Sequence, residues 1–122
     1  FMHRGVEHKD SRRTLSTIFN SDLGDFVARQ VKTIDDIPRE VELGGHYHSY
    51  RELHYVLKGE ARFELQDINT KEDETYILTP RDALLIPPFV AHKAKVKAGT
   101  VLISSTESAY ISPEVNDHKY EF

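Results

Sequence analysis

The sequence predicts an all-β barrel or jelly roll, and three observations carry that expectation. Apolar residues recur with a period of two almost throughout the 122 residues. The runs are short, rich in Val, Ile, Leu, Phe, Tyr and Thr, and punctuated by Gly, Pro, Asn or Asp. No stretch of about twelve residues or more carries a helical stripe. Many short strands at close spacing close most readily into a barrel or jelly roll.

Taken in order, strands are expected near Thr14–Phe19, Phe26–Ile34, Val41–Leu43, Tyr50–Leu57, Ala61–Asp67, Thr75–Leu78, Ala83–Ile86, His92–Val96 and Thr100–Ser104. Gly59 marks a tight turn, and Asn69-Thr70-Lys71 a longer hairpin. The polar stretch Ser21–Asp25 reads as a loop or single turn, and Tyr110–Phe122 as an irregular tail with a short strand or turn. A chain of this length holds one hydrophobic core, so a single domain over residues 1–122 is expected, with a barrel core at about 10–105 and a packed tail at 106–122. On the strand around Val56, residues Leu53, Tyr55 and Leu57 are apolar on the face opposite the inward one. A strand apolar on both faces is covered twice, and a second subunit in a homodimer is the simplest cover.

Composition narrows the function. Charged residues at 30% and apolar ones at 39% suit a folded domain and exclude a disordered chain. A net charge of −4 with scattered cations argues against nucleic acid. Without cysteine there are neither disulfides nor thiolate ligands. No apolar run approaches a membrane span and no signal-peptide pattern opens the chain, so a cytoplasmic protein with no membrane partner is expected.

The chemistry concentrates in two segments. From Gly44 to Gly59, the residues His46, His48 and Glu52 share parity and project to one side of an extended chain if no bulge intervenes. Two imidazoles and a carboxylate offer ligands that Mn, Fe, Co, Ni or Zn accept. From Arg81 to Val96, Pro87-Pro88 ends one strand, and His92 joins the apolar parity of Val90, Ala94 and Val96. An imidazole on that face needs a partner inside the barrel. His54 shares the parity of Glu52; it is either a buried histidine bonded to a neighbouring strand or a catalytic acid–base group. Left without a partner in a metal-free protein, a buried Glu52 would be costly to desolvate.

This pattern resembles the cupins. His46-x-His48, three residues, Glu52, six residues and Gly59 fit the first cupin motif, and Pro87-Pro88-Phe89-Val90-Ala91-His92 after Arg81-Asp82 resembles the second. Arg81 and Phe89 stand where that motif has glycines, which places the turn geometry in question. The resemblance implies a double-stranded β-helix with a divalent transition metal held by His46, His48, Glu52 and His92.

Asp10-Ser11-Arg12-Arg13-Thr14-Leu15, Asp36-Ile37-Pro38, Gly44-Gly45-His46-Tyr47-His48, Ile86-Pro87-Pro88 and Tyr120-Glu121-Phe122 also resemble the nucleotide-sugar 3,4-ketoisomerases, which are similar to the dTDP-sugar 3,5-epimerases. That resemblance implies a small dimeric enzyme acting on a sugar or nucleotide sugar, with His46 and His48 as catalytic residues and no metal. Leu43 replaces an Arg usual in that family, Lys32 and Thr33 lie where Tyr is frequent, and Glu52 is uncommon there. Three functions follow: an isomerase or epimerase working through an enediolate, with His46, His48 and His54 as its acid–base residues; a metal-dependent oxygenase; and a non-catalytic sugar or metabolite binder.

Overall fold

The computed structural model describes residues 2–4, 6–20 and 23–122. Its strands are β1 (Met2–Arg4), β2 (Val6–Lys9), β3 (Thr14–Thr17), β4 (Gln30–Ile34), β5 (Val41–Tyr47), β6 (Glu52–Lys58), β7 (Ala61–Asp67), β8 (Asp73–Leu78), β9 (Asp82–Ile86), β10 (Val90–Val96), β11 (Val101–Thr106) and β12 (His118–Lys119). One helical turn, α1 (Pro113–Asn116), precedes β12. All pairings are antiparallel, in two five-stranded sheets ordered β1-β9-β6-β11-β4 and β12-β5-β10-β7-β8, with β2-β3 as a separate hairpin. This is the expected all-β jelly roll. Among the described residues no helix is long and apolar enough to cross a membrane.

The alternating pattern fills the space between the sheets. Val56, Leu84, Ile86 and Leu102 from the first sheet meet Phe63, Leu65, Leu78, Ala94 and Val96 from the second. Arg62 on β7 and Lys95 on β10 point outward, as their parity requires.

The other face of the first sheet departs from expectation. Leu53 and Tyr55 are buried, but by the chain itself: Leu23, Phe26 and Ala83 complete their cluster, with Ile18, Phe19, Ala28, Leu85 and Ile103 around it. The strand expected from Phe26 starts at Gln30, because residues 23–28 fold across this face instead of pairing. Arg51 pins that crossing to Asp25 at 2.7 Å and also binds Glu107. Leu57 on β6 and Val31 on β4 stay exposed on the same face. Leu53 and Tyr55 therefore need no second subunit to cover them. Ser21 and Asp22, part of the loop or turn expected at Ser21–Asp25, lie outside the described residues, while Gly24 and Asp25 form a turn.

Two glycines expected to end a strand instead lie within β5. Gly44 and Gly45 have φ of 93° and 84°, and the β5–β10 register shifts beside them, with Lys93 opposite Gly44 and His92 opposite His46. The extra residue is a β-bulge, and it switches parity. Val41 and Leu43, both odd, pack on the core; beyond the bulge the even-numbered His46 and His48 turn to the same side. A Cβ at Gly44 would sit 2.6 Å from the His92 carbonyl oxygen, whereas one at Gly45 meets nothing nearer than 4.0 Å.

The two motif glycines replaced in this chain keep the glycine conformation. Arg81 has φ of 79° and Phe89 of 60°, so the turn is preserved at a cost of about 1–2 kcal/mol each. Hydrogen bonds hold them there: Arg81 N donates to Val56 O at 2.9 Å, and Phe89 N to His48 O at 2.8 Å.

Gly44→Ala should destabilise the protein by roughly 3 kcal/mol or more, through strain plus a backbone collision, and Gly45→Ala by about 1–2 kcal/mol, through strain alone. Denaturant melts of both variants measure the difference; equal losses would show that the close approach at Gly44 does not govern the pairing.

Candidate functional site

The site forms where the ends of both sheets meet. β5 delivers His46 and, just past its end, His48. β10 delivers His92 directly opposite His46. The chain then turns through Ser49–Arg51 and re-enters as β6 in the other sheet, so Glu52 and His54 approach from across the core. Relative exposure is 5% for His48, 4% for Glu52, 7% for His54 and 3% for His92, while His46 is only partly buried.

The structure brings all the expected residues together, in two overlapping trios. The ligand atoms of His46, His48 and His92 lie within 4.8 Å of one another, and so do those of Glu52, His54 and His92. Glu52 bridges the trios: Oε1 is 3.2 Å from His92 Nε2 and Oε2 is 3.5 Å from His48 Nε2. The ring centroid of His46 is 4.7 Å from those of His48 and His92. His54 is buried and bonded to a neighbouring strand, and it also reaches Glu52. Its Nδ1 is 2.7 Å from Ser104 Oγ on the adjacent β11, and its Nε2 is 2.5 Å from Glu52 Oε1. Glu52 therefore has a partner, and the unpaired carboxylate anticipated for the metal-free protein is not found.

Electrostatics follow from this crowding. Burial, with His92 and His48 alongside, pulls His46 down to about 4, so it is neutral at neutral pH. Burial likewise lowers His48, against the opposing pull of Glu52. Burial pushes the Glu52 carboxyl up, but the His54 and His92 contacts outweigh it and hold the group well below the usual carboxylate range. The result is a buried carboxylate ringed by imidazoles.

The tautomer of His48 can be assigned from its neighbours. Nδ1 lies 2.6 Å from the Asn116 carbonyl oxygen, which only accepts, so Nδ1 carries the proton and Nε2 the lone pair. Nε2 is buried without a hydrogen-bond partner and faces Glu52 Oε2. Two acceptors turned toward each other fit a shared cation.

These groups border a cavity, about 90 Å³ of which is open to the centre of a water molecule. His46, Glu52, His54 and His92 form its polar wall, Ile34, Leu43, Phe63, Ala94 and Leu102 its apolar wall, and Lys32 stands on β4 at its edge.

Sequence reasoning missed the contribution of the tail. Asn116, Tyr50 and Asp117 gather around His48: Tyr50 stacks on its ring at 4.9 Å, and Asp117 Oδ1 lies 3.6 Å from Nδ1. Ser112-Pro113-Glu114 carries the signal for this turn, an N-cap serine followed by proline, and Ser112 Oγ accepts from Val115 N. Tyr47 stacks on His118 outside the sheet, and Tyr55 is core.

Comparison with known proteins agrees with this architecture. The TDP-quinovose 3,4-ketoisomerase WlaRB of Campylobacter jejuni superposes with a TM-score of 0.84 at 19% identity, covering 98% of this chain and 91% of that one. The 3,4-ketoisomerase QdtA of Thermoanaerobacterium thermosaccharolyticum, in complex with TDP, gives 0.78 at 20% identity over 91% and 82%. The dTDP-4-dehydrorhamnose 3,5-epimerase of Bacillus anthracis gives 0.81 at 16% identity over 95% and 75%. At such identities the likeness establishes the fold. Compared by sequence, no curated protein matches. The Cupin domain family, however, matches residues 34–103, more than half of the chain, and this protein belongs to it.

Proposed function

We propose that this protein is an isomerase or epimerase of a nucleotide-linked keto-sugar, working through an enediolate. The observation that carries the reading is the Ser104–His54–Glu52 chain at the polar wall of the cavity. Its support from outside is the shared fold of TDP-sugar ketoisomerases and epimerases.

Moving a carbonyl to the next carbon, or inverting a centre beside it, needs a proton removed alpha to the carbonyl and another returned. His54 suits that task. Nε2–H donates to the Glu52 carboxylate, so Nδ1 holds the lone pair; a proton leaving the substrate would be taken at Nδ1 in place of the hydrogen bond from the Ser104 hydroxyl, and handed back from the same nitrogen. His54 and Glu52 are both less than a tenth exposed, which limits bulk water around the enediolate.

The donor set also fits a divalent transition metal. His46, His48 and His92 would hold it together with Glu52, and the opposed acceptors His48 Nε2 and Glu52 Oε2 are the observation in favour. Such a metal would supply Lewis acidity toward a ligand oxygen. In its absence His46, neutral and lining the cavity, is the second acid–base group beside His48, and its basicity rises as enediolate charge develops next to it. The apolar wall favours a second reading, a metal-dependent oxygenase acting on a largely apolar ligand.

Incubation with TDP-4-keto-6-deoxyglucose in deuterated water should place deuterium alpha to the carbonyl, read by NMR. Dioxygen uptake by iron-loaded protein instead would install the oxygenase reading, and ligand-induced stabilisation without exchange or product would leave a binder.

Glu52→Gln should lower Zn²⁺ or Mn²⁺ affinity tenfold or more, about 1.4 kcal/mol, because an amide oxygen is the weaker donor. Because Glu52 also receives His54, the metal-free variant should melt lower by an amount on the order of 2 kcal/mol. Metal content equal to the parent would end the ligand assignment.

Acid should weaken the metal-free fold early. His46 is near 4 when folded and near 6.5 when unfolded, so the unfolded chain binds more protons between these values. The stability is present above about pH 6.5 and drains away as pH falls toward 4. Melting temperature should begin to drop below pH 6.5, well before ordinary carboxylates titrate, and His46→Gln should flatten that limb; a flat parent profile from pH 7 to 5 contradicts the burial of neutral His46.

A further inference from the structure

We propose that Asn116 is a positioning residue for His48, fixing which imidazole nitrogen faces Glu52. This rests on the reading above only where it concerns what Nε2 then binds. Asn116 is 2% exposed and lies 68 residues along the chain from His48. Its backbone carbonyl receives His48 Nδ1 at 2.6 Å. Its side chain fixes that carbonyl by using its whole hydrogen-bonding capacity. Oδ1 accepts from Ile111 N at 2.7 Å and Ser112 N at 3.1 Å; Nδ2 donates to Tyr50 OH at 3.0 Å and Ala109 O at 3.2 Å.

Tyr50 closes the loop. The ring bound by the Asn116 amide lies nearly parallel to His48, at 15° between planes. His48 is thus held in its plane by a stacked phenol and along one edge by a carbonyl, and the same asparagine governs both. The charged groups facing it are Glu52 at Nε2 and Asp117 at Nδ1. Asp117 Oδ1, at 3.6 Å, is too far to take the Nδ1 proton from the carbonyl at 2.6 Å. A carboxylate accepting at Nδ1 would fix the same tautomer but add charge, whereas a peptide carbonyl sets the tautomer and leaves the ring neutral. The turn Ser112–Asn116 is a device for delivering that carbonyl.

The test is ¹⁵N NMR of the His48 imidazole in metal-free protein near pH 8, combined with Zn²⁺ titration. The parent should show the proton on Nδ1; a parent with the proton on Nε2 overturns the proposal without any variant. Asn116→Ala should shift His48 toward a mixture of tautomers and weaken Zn²⁺ about tenfold. Tyr50→Phe, which keeps the ring and removes the hydroxyl, should retain the parent tautomer. An unchanged His48 signature in folded Asn116→Ala means that Asn116 merely folds the tail, and overturns the proposal. A shifted tautomer with unchanged Zn²⁺ affinity upholds the positioning role and removes His48 from the metal site instead.

Discussion

The close passage of β5 against β10 at Gly44 is the constraint on which the site depends. The backbone of β10 comes so near that no side chain fits there, and the neighbouring Gly45 absorbs one residue of register. Were the same sequence paired regularly, without the bulge, the face that carries Val41 and Leu43 into the core would carry Tyr47 inward and His46 and His48 out to solvent. The bulge thus lets one strand serve packing with its first half and chemistry with its second. It also brings His46 level with His92, which sets the geometry of the histidine trio.

Much of this was legible in the sequence because a period of two and two motif spacings survive any detail of packing. The even parity of His46 and His48 gave the right side of the strand. Glu52 reached the same place by another route, from the facing sheet after a turn, so parity alone was an incomplete account. What could not be read was tertiary. Nothing local tells that residues 23–28 lie over Leu53 and Tyr55, or that a carbonyl from the tail meets His48. Arg81 and Phe89 teach a related point. Left-handed backbone was legible as a glycine signature in the second motif, and the chain keeps the conformation after losing the glycines, held by hydrogen bonds from Arg81 N and Phe89 N to the Val56 and His48 carbonyls.

The two clusters of apolar side chains have different jobs. The inner one joins the sheets and forms the apolar side of the cavity. The outer one ties Ile18, Phe19 and residues 23–28 to the back of β6, the strand that begins with Glu52. Arg51, next to Glu52, clasps Asp25 from that crossing and Glu107 from the end of β11 while lying 5.9 Å over the Phe26 ring. The position of the carboxylate is therefore anchored from outside the barrel as well as from within.

The contact between His48 and Asn116 also sets an order of events in synthesis. Residues 109–117 follow the strands from β1 to β11 in the chain, so the carbonyl that orients His48 is among the last parts of the centre to be delivered. Until that carbonyl is in place His48 Nδ1 lacks its acceptor, and either imidazole nitrogen can carry the proton. The proton position on His48 is thus set by a one-turn helix and not by the sheets that surround the cavity.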